Sequence, residues 1–265
     1  MPGVWFFNDY SDASYYMIEG RDKALVIDTG MGEHPIMPLI RRITSKPVEL
    51  AVTHIHGDHM IHAGEFDKVY ICKAESEALP TTMAVMMPNL KLDEDKIGWL
   101  EGNEVFDLGG VEVEAIRLPG HTPGSLLFAD HTHKCLFVGD AIGSGIIVLM
   151  AIPHSLEISA YKAELEAFAE RAKAYEDYIW LGGHRYQERG GSYSNPFVTL
   201  SEQPMEYNPP RRQLVIDMAE LCGKLLAGEI EGEEIVPFIH KDMGEPTYRA
   251  FYKSAGIVYL KSQVK

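Results

Sequence analysis

Residues 51–60, AVTHIHGDHM, place three histidines and an aspartate within positions 54–59. Four ionisable side chains so close together repel one another or are costly to bury, so something should compensate them. The stretch from Pro47 onward reads as an apolar strand that runs straight into the cluster. Alternate side chains of an extended segment share a face, so His54 and His56 point the same way at the strand end. Gly57 allows a turn, and Asp58 and His59 enter from the first turn of the next segment. Two imidazoles on one side, with a carboxylate and a third imidazole on the other, have the form of half-shells for two neighbouring cations. Each cation would still need ligands from elsewhere.

Other strand ends offer them. RLPGHTPGS places His121 after a strand, in a loop tightened by Pro119, Gly120, Pro123 and Gly124. LFVGDAIGSG ends a strand with Asp140, and IWLGGHRYQ ends another with His184. Working outward, VWFFN, SYYMIEG and KALVIDTG read as a strand meander and residues 33–44 as a helix. KVYICK is a strand, about 74–99 a helical and loop region, and EVFDLGGVEVEAIRLPG a hairpin turning at Gly109 and Gly110. SLLFAD and KCLFVGD follow as strands, then a helix over about 156–175 and the strand YIWLGGH. Strands in two similar passes with helices between them imply two sheets packed face to face, helices outside. Pro196, Pro204, Pro209 and Pro210 mark a connector. Beyond it a helix over 211–227 and strands in PFIHKD and TYRAFYKSAGIVYL form an appended element. The expected division is a catalytic domain over 1–200 and a C-terminal element over 201–265, a lid or a dimer contact, packed on it.

The ordered set of H-x-H-x-D-H at 54–59, G-H-T-P-G-S around His121, GDA around Asp140 and the final histidine after GG resembles the metallo-β-lactamase superfamily. The strand-borne DTG at 28–30 is similar too, and the resemblance covers about residues 10–190. It implies an α+β fold, an αββα sandwich of two mixed sheets with helices on both outer faces. It also implies two divalent metal ions, zinc first with iron or manganese open. His54, His56 and His121 would hold the first, Asp58, His59 and His184 the second, and Asp140 would bridge them. Asp28 is expected to hydrogen-bond near the site, with plain capping of its strand end the alternative. His34, His62, His131, His133, His154 and His240 are expected to be ordinary histidines.

The expected activity is metal-dependent hydrolysis, with a metal-bridging hydroxide attacking an acyl carbon and Asp58 orienting it and passing its proton to the leaving group. The motif pattern resembles glyoxalase II and acyl-homoserine-lactone lactonases. The full aspartate and histidine set argues against β-lactam hydrolysis, and His56 against flavodiiron oxygen chemistry. HRYQ resembles the His-x-Tyr segment of glyoxalase II, which makes Tyr186 a substrate contact. Where that group carries a basic and aromatic loop, this chain has the apolar AIGSGIIVLMAIP. The expected substrate is therefore a small, apolar carboxylic ester, lactone or thioester. Phe7, Tyr10, Met83, Met86, Met87, Ile146 and Ile147 are candidate pocket walls, with core packing the alternative for each. A mononuclear iron dioxygenase of the persulfide-oxidising kind and a phosphodiesterase are the competing chemistries, and a non-catalytic metal scaffold the third.

Composition agrees. At 265 residues and 46% hydrophobic the chain can build a substantial core, and its net charge of −15 argues against a phosphate-backbone partner. The longest apolar run, Ile146–Ile152, is far shorter than the ~20 residues a membrane helix needs. The N-terminus does not resemble a secretory signal, so a cytoplasmic protein is expected, acting on a small molecule without nucleic-acid or membrane partners, with a homodimer favoured. Cys72, Cys135 and Cys222 are widely spaced and read as buried thiols. G-x-S-x-G, G-K-[ST] and H-E-x-x-H are all absent.

Overall fold

The computed structural model describes residues 1–8, 13–143, 147–184, 210–235 and 244–265. Its first sheet holds β1 (Val4–Asn8), β2 (Ser14–Glu19), β3 (Ala24–Ile27), β4 (Val48–Ala51), β5 (Val69–Cys72) and β6 (Ile97–Leu100), side by side in chain order. The first three strands pair antiparallel, as a meander must, and β3 to β6 pair parallel. Helices α1 (Met37–Ile43), α2 (Gly57–Met60) and α3 (Leu79–Met86) lie in the parallel crossovers.

A second sheet runs β7 (Val105–Asp107), β8 (Glu112–Arg117), β9 (Leu126–Asp130) and β10 (Cys135–Gly139), with β12 (Ile179–Gly182) joining β10 in parallel. The helix between those two strands is α4 (Ile158–Arg171), extended by a 3-10 turn to Tyr175. Gly109 and Gly110 turn the β7–β8 hairpin at φ 90° and 87°, a left-handed backbone that other residues adopt at a cost.

Side-chain alternation builds the layers. Tyr16 and Ile18 of β2 face inward and meet Phe128 and Phe137 of the second sheet. Their neighbours Tyr15 and Met17 face the other way, into a cluster with Ile40, Met60 and Leu79 of the three helices. The outer face of the second sheet, with Leu127 and Leu136, packs on Tyr161 and Leu165 of α4. Two sheets with helices on both outer faces result, as expected, and strands buried on both sides read as nearly continuous apolar runs.

A third sheet was not foreseen. It is ordered β11 (Ile147–Leu149), β15 (Ala255–Leu260), β14 (Thr247–Tyr252) and β13 (Glu233–Ile235). Its residues Tyr248, Ala250, Ile257 and Tyr259 join the α4 cluster, together with Leu214, Met218 and Cys222 of α5 (Arg212–Leu226). The C-terminal residues therefore share a core with the second sheet. Three local expectations are corrected. The helix expected over 33–44 starts only at Met37, with Pro38 in its first turn. β6 is a strand where helix and loop were expected, and part of the apolar run at 146–152 is β11. The strand expected in PFIHKD lies outside the described residues. No helix among the described residues is long and apolar enough to cross a membrane.

Candidate metal centre

Seven ligand-type side chains converge from four separate places in the chain. His54 and His56 leave the end of β4, and Asp58 and His59 start α2, whose first residue Gly57 permits the turn. His121 comes from the loop between β8 and β9, Asp140 follows β10, and His184 follows β12. His121 Nε2 lies 3.2 Å from His54 Nε2 and 3.0 Å from His56 Nδ1. Asp58 Oδ2 lies 3.4 Å from both His59 Nε2 and His184 Nε2. Asp140 stands between the groups, with Oδ2 3.3 Å from His184 Nε2 and Oδ1 3.7 Å from His59 Nε2. Its carboxylate also shares a potential ligand group with His54 and His59. The structure thus brings together every residue that the resemblance proposed as a ligand.

Two electrostatic environments meet there. Burial pushes His54 well below the ordinary imidazole value and His56 down to about 3, and the nearby imidazoles push the same way; His121 is lowered by burial too. Three neutral rings therefore turn lone pairs toward one point. Burial also opposes charge on His59 and His184, but carboxylates outweigh it. Asp58, Asp28 and Asp140 raise His59 well above its usual value, and Asp140 and Asp58 raise His184 to about 9. Burial disfavours charge on Asp58 and Asp140 as well, yet His59 and His184 hold both below the ordinary carboxylate range.

The donor set fits divalent metal. His59 Nε2 is fully buried and makes no hydrogen bond; it faces the Asp58 and Asp140 carboxylates, at 3.4 and 3.7 Å, a gap between donors that suits a cation. Imidazole and carboxylate together suit zinc, iron or manganese.

Groups around these seven fix their orientation. Asp28 accepts from Thr53 N–H at 2.7 Å, Thr53 Oγ1 at 2.8 Å and His59 Nδ1 at 2.9 Å. It does so from a left-handed backbone, φ 62°, that is uncommon outside glycine. His121 Nδ1 donates to the Leu149 carbonyl at 2.6 Å, which leaves Nε2 for the centre. Tyr161 Oη donates to Ala141 O at 2.7 Å, and its ring lies where a side chain at Gly120 would stand, 2.1 Å from a Cβ there. One buried tyrosine thus braces the chain beside both Asp140 and His121. A Cβ at Gly183 would come within 2.3 Å of Asp140 Oδ1 and 2.8 Å of His59 Cε1, so glycine is needed there for space. Thr53, Leu149, Tyr161 and Gly183 were not foreseen. The Leu149 contact uses a backbone carbonyl, which leaves no trace in residue type.

A profile described as the Metallo-beta-lactamase superfamily matches residues 9–184, more than half of the chain. The chain belongs to the metallo-beta-lactamase superfamily. It is therefore an enzyme of that hydrolase superfamily, with side chains placed to bind metal. An acyl-coenzyme A thioesterase, MBLAC2, of Bos taurus is 26% identical over 197 residues, 62% of this chain and 70% of that protein. The hydroxyacylglutathione hydrolase GloC of Haemophilus influenzae is 26% identical over 196 residues, 66% of this chain and 87% of its own. Among solved structures, the archaeal superfamily protein ST1585 from Sulfolobus tokodaii superposes with a TM-score of 0.53 at 19% identity, covering 92% of this chain and 91% of that one. This last likeness speaks to the superfamily fold.

The expected pocket walls divide. Met87 is buried in the cluster beneath the first sheet, with Met83, Met86 and Phe7 partly buried against it, Phe7 stacked on Tyr15. Met86 and Met87 also line a cleft of about 490 Å³ with Ile61, His62 and Leu90, and both approach Gly57 beside the centre. Ile147 is half-buried in β11. Tyr10, Ile146 and Tyr186 lie outside the described residues.

The other histidines have ordinary surroundings. His62 bonds Glu65 and the Gly32 carbonyl, both at 2.8 Å; His133 bonds Asp130; His131 bonds Tyr178; His34 and His154 are exposed. His240 lies outside the described residues. All three cysteines are buried and free, and burial pushes Cys135 up to about 11 and Cys222 to about 12, values that suit inert thiols.

Proposed function

We propose that the chain is a hydrolase of small carboxylic thioesters, with esters and lactones in its range, and that it works with two divalent cations. The observation that supports this most is the convergence of His54, His56 and His121 on one side and Asp58, His59 and His184 on the other, joined by Asp140, with His59 Nε2 buried and unbonded. Cations held there supply an activated water and a positive charge beside the scissile carbonyl.

The chain's own residues do the rest. The neutral rings of His54, His56 and His121 would hold one cation and Asp58, His59 and His184 the other, with the Asp140 carboxylate between the two groups. Asp58 keeps about a quarter of its side chain exposed, so a free carboxylate oxygen can orient water and carry its proton to the departing sulfur or oxygen. Thioesters come first because one relative is named an acyl-coenzyme A thioesterase and another, from a different organism, a hydroxyacylglutathione hydrolase. A filled second group argues against a single-iron oxygenase.

The test is metal analysis of protein purified without added metal or chelator, followed by a screen of short acyl thioesters, esters and lactones. Two cations per chain and thioester turnover are expected. One iron per chain, with oxygen consumed on sulfur substrates, would overturn the proposal.

A further inference from the structure

The imidazole of His121 is oriented by Leu149 O, and Leu149 belongs to β11. That strand is bonded to β15 more than a hundred residues later, in the register Ile147 to Gly256, Val148 to Ile257 and Leu149 to Val258. Met150 N–H and Ala151 N–H both donate to Val258 O, at 2.7 and 3.0 Å, which prolongs the pairing past the strand end.

The segment then turns back toward His121. Ser155 Oγ donates to His121 O at 2.7 Å, and Leu156 N–H donates to Gly120 O at 2.9 Å. Residues 149–156 therefore grip the His121 loop at both of their ends, by the ring and by the backbone. A single buried side chain closes this segment: Gln263 Nε2 donates to Met150 O at 2.8 Å and reaches Leu156 O at 3.5 Å. Its own Oε1 accepts Leu260 N–H at 2.8 Å, which fixes the amide orientation.

We propose that Gln263 is a positioning residue for His121, and that β15 with the turn after it forms part of the scaffold of the first metal group. It touches neither substrate nor ligand. It acts by holding Met150 and Leu156 at the separation that aims Leu149 O at His121 Nδ1. The proposal rests on the two-cation reading above, and it gives the C-terminal strand a role other than lid or dimer contact.

The test is zinc titration of the metal-depleted protein against a chromophoric chelator, with thermal unfolding measured on the same samples. Gln263→Met keeps the bulk and removes the amide; Gln263→Glu keeps the acceptor for Leu260 N–H and removes the donor, a second route should the first variant not fold. Ser262→Ala is the control, since Ser262 bonds Glu245 and not the 149–156 segment.

Both Gln263 variants should bind one of two zinc equivalents about tenfold more weakly, as loss of an outer hydrogen-bonding partner does. The other equivalent and the Ser262→Ala protein should be unchanged, and excess zinc should restore turnover at unaltered KM. Wild-type binding of both equivalents by the Gln263 variants would overturn the proposal, as would weakening matched in Ser262→Ala at equal loss of Tm. A wild-type chain that takes up no zinc would overturn the two-cation reading and this proposal together, which separates the two failures.

Discussion

Asp28 Oδ2 lies 2.9 Å from His59 Nδ1, and Asp28 reaches it from a backbone at φ 62°. A strained residue persists where its surroundings over-determine it, and here three donors do so: Thr53 N–H, Thr53 Oγ1 and the His59 ring. The carboxylate fixes the ring with Nε2 turned to the centre. Asp28→Asn keeps a residue that tolerates the left-handed backbone, removes the charge and replaces one of two accepting oxygens by an amide donor. Metal affinity should fall about 10- to 100-fold, read by competition with a chelator. Unchanged affinity would show that Asp28 merely caps its strand.

Asp58→Ala removes the most exposed carboxylate of the centre. Turnover of the best thioester should fall at least about 100-fold, the usual scale of a lost acid–base group. Circular dichroism and Tm should stay near wild type, because α2 is short and Asp58 is its one residue that is not buried. Turnover within a few-fold of wild type would remove Asp58 from the proton path.

Gly183→Ala adds one methyl group where Asp140 Oδ1 and His59 Cε1 already stand. The ligand side chains must shift, so metal occupancy after purification should drop below that of wild type. Retention of full metal content would mean that β12 yields instead.

Metal uptake should strengthen as pH rises. Without a cation, His184 keeps its proton up to about pH 9, and His59 is held well above the ordinary imidazole value. Those protons compete for the lone pairs that a cation needs, so raising pH removes the competitor. Zinc affinity should increase from pH 6 to 8, with proton release visible in calorimetry in buffers of different ionisation enthalpy. A flat profile would contradict these assignments.

Tyr161→Phe keeps the ring against Gly120 and leaves Ala141 O without its donor. The cost should be about 1–3 kcal/mol, the penalty for an unsatisfied buried group, seen as a lower midpoint in urea.

The layers were legible from the order of elements, strands in two similar passes with helices between them; which face Tyr16 and Ile18 or Tyr15 and Met17 take was not, because β2 is buried on both sides and reads as one apolar run. The convergence of the seven site residues was legible because each lies at or just past a strand end. β6 was missed because it is short, contains Gly98 and follows a polar stretch, so its identity comes from pairing with β5. β11 was missed for a related reason: three residues become a strand only because β15 lies beside them. Thr53, whose Oγ1 lies 3.1 Å from His54 Nδ1, and Leu149 act on the histidines through a hydroxyl and a carbonyl, groups too common to stand out in any sequence.

The pairing of β11 with β15 also sets an order of assembly. Synthesis from the N-terminus delivers His54, His56, His121, Asp140 and His184 well before Val258. Until residues 255–263 leave the ribosome, the strand that carries Leu149 has no neighbour at that edge, and the His121 ring lacks its fixed acceptor. The His121 side of the candidate site therefore matures late, and a nascent chain interrupted before Ala255 would carry all seven side chains of that site while one histidine is still unaimed.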